Sequence, residues 1–262
     1  MKIGYLGPKG TFSYEACKKY CDEKYQMIEY KTISSVIEGL EKVEVDEAIV
    51  PIENLLQGGV TETIDTLIKY EDIYVTKQTT LKINQNLMAN KKYELNKIKE
   101  VFSHPQALAQ CKNYIENNLK NAIINQVSST ALAAKEIKNK EYCACIANKS
   151  CAKEYDLVLL DEKIQDNNLN ETKFWILNKV KNKNGNKMSI IFSTQNKPGE
   201  LYKVLGIFNQ NNVNLSKIES RPAKTVLGEY IFLVDIDVNK NIEEVLEIVK
   251  NNCSYFRILG IY

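Results

Sequence analysis

Ser103-His104-Pro105-Gln106-Ala107-Leu108-Ala109-Gln110-Cys111 sets several polar side chains where an apolar run gives way to a helix-forming one. Glu100-Val101-Phe102-Ser103 reads as a short strand, and Pro105 suits the first turn of a helix, where its missing N–H is no loss. Good helix formers follow from Ala107 to Tyr114. Gln106 and Gln110 lie four apart and share a helix face, so with Ser103 they offer amide and hydroxyl groups beside a helix N-terminus, where anions are favoured. The chemistry within reach of such a set is the binding and orienting of a small anion. The same residues are also readable as a plain strand, turn and helix with Ser103 as a capping serine. His104, the only histidine, reads as a packing residue beside a proline and not as a base.

Similar polar ends recur along the first part of the chain, where short apolar runs alternate with helix-like segments in the manner of an α/β sheet covered on both faces. Gly7-Pro8-Lys9-Gly10-Thr11-Phe12-Ser13 turns from the strand Lys2 to Leu6 into a helix from Tyr14 to Tyr20, with Ser13 as N-cap. It lacks the spacing of a dinucleotide or P-loop fingerprint, so a cradle for a small carboxylate fits it better than a nucleotide site. Pro51-Ile52-Glu53-Asn54 ends the apolar run from Glu47 to Val50, ahead of the pair Gly58-Gly59. Ser128-Ser129-Thr130 stands between the strand Ala122 to Val127 and an alanine-rich helix reaching Lys138. After an Asn-rich loop, the strand Glu171 to Leu177 carries the only tryptophan, Trp175, and is expected to return to the same cleft. Ligands of open α/β sheets bind beyond the carboxyl ends of the strands, which is where these groups fall.

Length and composition bound what the site belongs to. At 262 residues the chain suits one large or two moderate domains. With 35 basic against 33 acidic residues, no strongly polyanionic partner is implied. There is no apolar run of membrane-spanning length and no basic-then-apolar leader, so a cytosolic protein is expected. Seven cysteines without C-x-x-C spacing and a single histidine leave a zinc site little to build from, and Cys17 and Cys21 read as small buried hydrophobes on a helix. Lys179 to Lys187 is polar and lysine-rich, a linker and not a core. Beyond it the pattern is strand (Met188 to Thr194), helix (Gly199 to Asn211), strand (Leu215 to Arg221), strand (Glu229 to Asp237), helix (Ile242 to Asn251) and strand (Tyr255 to Tyr262). That order is the ferredoxin-like βαββαβ unit.

In this order the motifs resemble those of bacterial prephenate dehydratases, a catalytic domain followed by an ACT regulatory domain. The resemblance covers nearly the whole chain. It rests on Gly7-Pro8-x-Gly10-Thr11-Phe12-Ser13, Pro51-Ile52-Glu53-Asn54, Ser103-His104-Pro105-Gln106 with Gln110-Cys111, Ser129-Thr130-Ala131, and Tyr155, Leu157, Leu160, Asp166 and Thr172-Lys173-Phe174. Pro198-Gly199-Glu200-Leu201 and Asn214-Leu215-Ser216-Lys217-Ile218-Glu219-Ser220-Arg221-Pro222 resemble the two phenylalanine-binding motifs. The resemblance implies an α/β fold. Its catalytic domain, 1–178, is two-lobed like a type II periplasmic binding protein, and a βαββαβ ACT domain, 188–262, follows the linker 179–187. It implies a carbon–oxygen lyase of phenylalanine biosynthesis that converts prephenate to phenylpyruvate by decarboxylating dehydration, with L-phenylalanine as allosteric inhibitor. A cytoplasmic homodimer or homotetramer is implied, with no cofactor, no metal, and no nucleic-acid or membrane partner.

By the same resemblance the catalytic residues are Thr172, Glu53, Asn54, Ser103 and Gln110. Substrate binding falls to Thr11, Phe12, Ser13, Ser129, Lys173 and Phe174, and phenylalanine binding to Gly199, Glu200, Leu201, Asn214, Glu219, Ser220, Arg221 and Pro222. The reaction expels the ring carboxylate as CO₂ and the C4 hydroxyl as water, and aromatisation drives it. The protein must supply orientation, a carboxylate anchor and a hydrogen-bond donor to the departing hydroxyl. Threonine is a feeble acid, so Thr172 is expected to donate a bond that strengthens as charge builds on the leaving oxygen. Lys173 stands where the family has arginine, Leu55 where it has serine or threonine, Gln57 for a common glutamate, and Glu200 for a common alanine. Lysine keeps the charge but loses the bidentate fork; in a strand it also points away from Thr172, so it either anchors a carboxylate or faces the neighbouring lobe. Arogenate dehydration and a non-catalytic aromatic-amino-acid sensor are the alternatives.

Overall fold

The computed structural model describes residues 1–223 and 230–262. The chain divides into two compact units, 1–70 with 79–175, and 71–78 with 176–262. No helix among the described residues is long and apolar enough to cross a membrane.

The first unit opens with β1 (Lys2–Leu6), α1 (Phe12–Tyr20), β2 (Gln26–Tyr30), α2 (Ile33–Glu41), β3 (Glu47–Asn54), β4 (Gly58–Gly59), α3 (Thr61–Leu67) and β5 (Tyr74–Lys82). Ile3, Tyr5 and Ile49 pack with Ala16, Cys17 and Phe174, so β1 and β3 lie under α1. The helix starts earlier than its sequence suggests: Thr11, not Ser13, is the N-cap, its Oγ1 accepting from Tyr14 N at 3.2 Å and donating to Leu6 O at 3.1 Å.

A second lobe follows with β6 (Asn86–Ala89), β7 (Glu100–Ser103), α4 (Pro105–Gln110), α5 (Lys112–Asn118), β8 (Ile123–Gln126), α6 (Thr130–Ile137), β9 (Cys143–Ala147), α7 (Ser150–Tyr155) and β10 (Val158–Asp161). Its sheet runs β10-β6-β9-β7-β8, with β7 parallel to β8 and β9. Strand alternation divides the core between its two faces. Cys143, Cys145 and Ala147 join Phe102 and the alanines of α6, while Ala144 and Ile146 join Val101, Leu108 and Cys111. Both faces are thus covered, and the cysteines serve as small apolar residues. The helix expected from Ala107 to Tyr114 is two helices broken at Cys111. Asp166 N, bonded to Gln110 O at 2.7 Å, takes the carbonyl that would have continued the first helix.

β11 (Glu171–Asn178) then returns to the first sheet, whose order is β2-β1-β3-β11-β5 with β4 beside β3. Along the chain, β5 and β11 each run from one compact unit into the other.

The second unit holds β12 (Lys187–Ser193), α8 (Glu200–Gln210), β13 (Leu215–Pro222), β14 (Tyr230–Asp237), α9 (Ile242–Asn251) and β15 (Tyr255–Ile261), the expected βαββαβ order. Glu229, expected to begin the fourth of these elements, lies outside the described residues. The sheet is antiparallel in the order β13-β14-β12-β15, and Val204, Phe208, Val245 and Val249 of the helices bury against Ile190, Phe192, Val234 and Ile236. Residues 71–78 belong to this unit as well, and Arg257 Nη2 donates to Ile73 O at 2.8 Å.

Gly260 marks a close backbone approach inside this unit, because a Cβ there would run into the backbone of Val75. Gly260→Ala is therefore expected to destabilise the protein by roughly 1–3 kcal/mol through overpacking. A lowered midpoint in chemical denaturation checks this; a wild-type midpoint would show that the strand shifts freely.

Candidate active site

A cleft of about 280 Å³ opens in the first unit, where strand ends of both lobes meet helix starts. Thr11, Phe12 and Ser13 bring the start of α1 to it, Ser128, Ser129 and Thr130 the start of α6, and His104 and Gln106 the start of α4. Ser129 caps α6, its Oγ accepting from Leu132 N at 3.0 Å. Among the described residues, none that lines the cleft is a lysine, arginine, aspartate or glutamate. What such a lining offers an anion is helix starts, hydroxyls and amides.

β3 and β11 form the adjoining wall through Asn54, Thr172 and Phe174. Asn54 Nδ2 donates to Thr172 Oγ1 at 2.9 Å, to Asn170 Oδ1 at 2.9 Å and to Glu171 O at 3.2 Å, so its two protons serve more acceptors than they can fill at once. Asn54 Oδ1 accepts from Leu56 N at 3.2 Å. Since Thr172 Oγ1 is the acceptor in its bond with Asn54, its own proton is directed elsewhere, and the side chain lines the cleft.

Strand alternation separates the expected site residues. Thr172 and Phe174 face the cleft, whereas Lys173 between them pairs with Glu53 at 2.8 Å, each side chain 29% exposed. The cleft lining includes neither Glu53 nor Lys173, which pair with each other. Ser103 is also absent from the lining. It is fully buried and donates to Ile146 O on β9, so its hydroxyl ties two strands together. Gln110 does line the cleft, as do Thr11, Phe12, Ser13 and Ser129. Leu55 is an exposed residue outside it, and Gln57 contributes an amide to it.

His104 and Gln85 are among the lining residues that the sequence reading did not take as site residues. His104 is the N-cap of α4, its Nδ1 accepting from Gln106 N at 3.2 Å. The neutral ring therefore carries its proton on Nε2. Burial pushes its pKa below the ordinary histidine value. Pro105 at the first helical position was the available signal for that cap. Gln85, 2% exposed, has no motif to announce it.

In the second unit, Gly199 caps α8 in the left-handed region at φ 85°, with open space where a Cβ would stand. Glu200 pairs with Lys203 at 2.6 Å, and Leu201 packs partly buried on the core. Asn214 donates to Asp237, Glu219 pairs with Lys217 at 3.2 Å, and Arg221 is buried between Ser220 and the exposed Pro222 on β13.

A family model described as prephenate dehydratase matches residues 3–182, and one described as ACT domain matches residues 188–254. The chain is 40% identical to the prephenate dehydratase of Methanocaldococcus jannaschii, over 98% of this chain and 96% of that one. It is similar to the crystal structure of prephenate dehydratase in complex with L-Phe from Arthrobacter aurescens, at 30% identity and a TM-score of 0.91, covering 99% of this chain and 89% of that one. It is similar also to the prephenate dehydratase structure from Staphylococcus aureus, at 31% identity and a TM-score of 0.86 over 100% of both chains.

The lowered pKa of His104 ties stability to pH. The fold favours the neutral ring, so the unfolded chain binds more protons between the folded pKa and the ordinary 6.5. This contribution is complete above that value and is lost as pH falls through the folded pKa. His104→Asn keeps a capping acceptor and removes the titration. Urea midpoints of the wild type are expected to drop more between pH 7.5 and 5 than those of the variant; parallel curves would contradict the assignment.

Proposed function

Because the chain belongs to the prephenate dehydratase family, we propose that its neutral cleft binds prephenate and that Thr172, held by Asn54, donates to the departing hydroxyl. The enzyme is a lyase that converts prephenate to phenylpyruvate with loss of CO₂ and water, under regulation by phenylalanine. The observation that carries the proposal is the Asn54 to Thr172 hydrogen bond of 2.9 Å on the wall of a cleft without charged side chains. A bond that strengthens only as the C–O bond breaks lowers the barrier and leaves the ground state alone. The absence of cationic lining serves the same end, since a carboxylate that must depart as neutral CO₂ is not to be stabilised by an ion pair. The starts of α1 and α6 hold the side-chain carboxylate, and Gln110 and Phe174 orient the ring. Glu53, Lys173 and Ser103 brace the walls from behind. Prephenate is preferred to arogenate because arogenate's ammonium would meet no carboxylate in the lining.

The catalytic domain spans 1–178 and the regulatory domain 188–262, joined by 179–187. The enzyme works in the cytoplasm, in keeping with its free cysteines. Phenylalanine binds at the start of α8 and along β13, the carboxylate toward the N–H groups after Gly199, in a homodimer or homotetramer. The Lys203 ammonium offsets the charge of Glu200 there.

Thr172→Ala is expected to lower kcat about 10²–10⁴-fold with the fold intact, while Lys173→Ala costs about 1 kcal/mol of stability and leaves KM nearly unchanged. Steady-state kinetics beside urea denaturation decides, and a tenfold rise of KM in Lys173→Ala at unaltered stability would return that ammonium to the site.

Phenylalanine is expected to weaken prephenate binding about 5–150-fold. Gly199→Ala, strained at its positive φ, should lose both phenylalanine binding by calorimetry and inhibition, at unchanged uninhibited turnover. Undiminished inhibition in that variant would move the effector elsewhere.

A further inference from the structure

We propose that Gln85 is a positioning residue whose amide, bonded to that of Gln110, keeps the Gln110 NH₂ group available to the substrate. The inference rests on reading the cleft as the prephenate site. Gln85 sits between β5 and β6, on the chain's first crossing between the lobes, and Gln110 ends α4. Both line the cleft. Their spacing is set by backbone, because the return crossing holds each of them. Gln165 Oε1 accepts from Gln85 N at 2.9 Å, Ile164 N donates to Gln85 O at 2.9 Å, and Asp166 N donates to Gln110 O at 2.7 Å.

Between these fixed points Gln85 Nε2 donates to Gln110 Oε1 at 3.2 Å. That bond occupies the acceptor half of the Gln110 amide and leaves the donor half, Nε2, buried without a partner. An unpaired buried amide group lowers stability, so a fold that keeps one has a use for it. Prephenate presents acceptors, two carboxylates, a keto oxygen and the leaving hydroxyl oxygen, so the donor half is the useful one. Without Gln85, the terminal torsion of Gln110 is soft and nearly two-fold, so in the empty cleft its carbonyl oxygen faces the ligand side as readily as its nitrogen, and binding must first turn the amide.

The test uses the full-length enzyme and prephenate, with rates taken above the uncatalysed background. Q85E is isosteric, but its ionised carboxylate accepts where the amide donated, drawing Gln110 Nε2 away. We expect kcat/KM at pH 8 to fall roughly tenfold or more, and to recover as pH falls through the introduced carboxyl's pKa, because the protonated acid donates again. The wild type should show no such limb. Gln85→Leu, which only frees Gln110, should lose roughly two- to tenfold. In a Gln110→Leu background it should change the rate less than about twofold, since the residue acts through Gln110. The proposal is overturned if Q85E and Gln85→Leu both stay within about twofold of wild type, if the Q85E loss ignores pH, or if the Gln85→Leu and Gln110→Leu losses multiply. Absence of prephenate turnover by the wild type overturns the reading of the cleft itself, and the inference with it. A wild type that turns prephenate over leaves the variants to judge Gln85 alone.

Discussion

A carboxylate placed among neutral groups is held by many weak donors, so the position of each donor matters more than its strength. One helix start contributes about 0.3–1 kcal/mol to an anion, and a neutral hydrogen bond about as much. The cleft therefore needs several helix starts converging on one volume, which parallel strands followed by helices supply. Thr11 ends the turn after β1, His104 follows β7, and Ser129 stands between β8 and α6. The β3 and β11 wall supplies what helix starts cannot, a hydroxyl whose proton is free because Asn54 already occupies its oxygen.

That dependence explains why the departures from family pattern are tolerable. Lys173 gives up arginine's bidentate fork but keeps its charge, and its ammonium still reaches one carboxylate oxygen of Glu53 at 2.8 Å. Leu55 offers no hydroxyl, but it is 62% exposed and is not among the residues that line the cleft. Gln57 replaces a carboxylate within the lining by an amide, which keeps the cleft free of negative charge.

Much of the fold was legible because its signals are local. β7 begins and ends at the expected residues, and the βαββαβ elements fall close to where periodicity and turn residues put them, apart from Glu229, which lies outside the described residues. The features that the sequence could not show are tertiary. Ser103 lies on a strand covered on both faces, where no polar-apolar alternation reveals which way its hydroxyl points, and it points at β9. Nothing near Cys111 predicts a break, since the competing donor, Asp166 N, comes from a distant segment. Glu53 and Lys173 are 120 residues apart, so neither could be seen to neutralise the other. Gln85 was invisible for the same reason, being brought to Gln110 only by the crossings between lobes.

The site also shows where this fold gives up stability. Gln85 Oε1, Gln110 Nε2 and Asn170 Nδ2 are buried polar atoms without partners, and all three belong to the cleft wall or to the amide network around Asn54. Each costs about 1–3 kcal/mol, a large fraction of the net stability of a domain. Apolar substitutes of similar shape would relieve that cost, so a sequence chosen for stability alone would not keep the amides. Their unspent hydrogen-bonding capacity is useful only when a polar ligand meets it, and the regular core around them, from Ile3 and Phe174 on one side to Ile146 and Val101 on the other, is what makes the expense bearable.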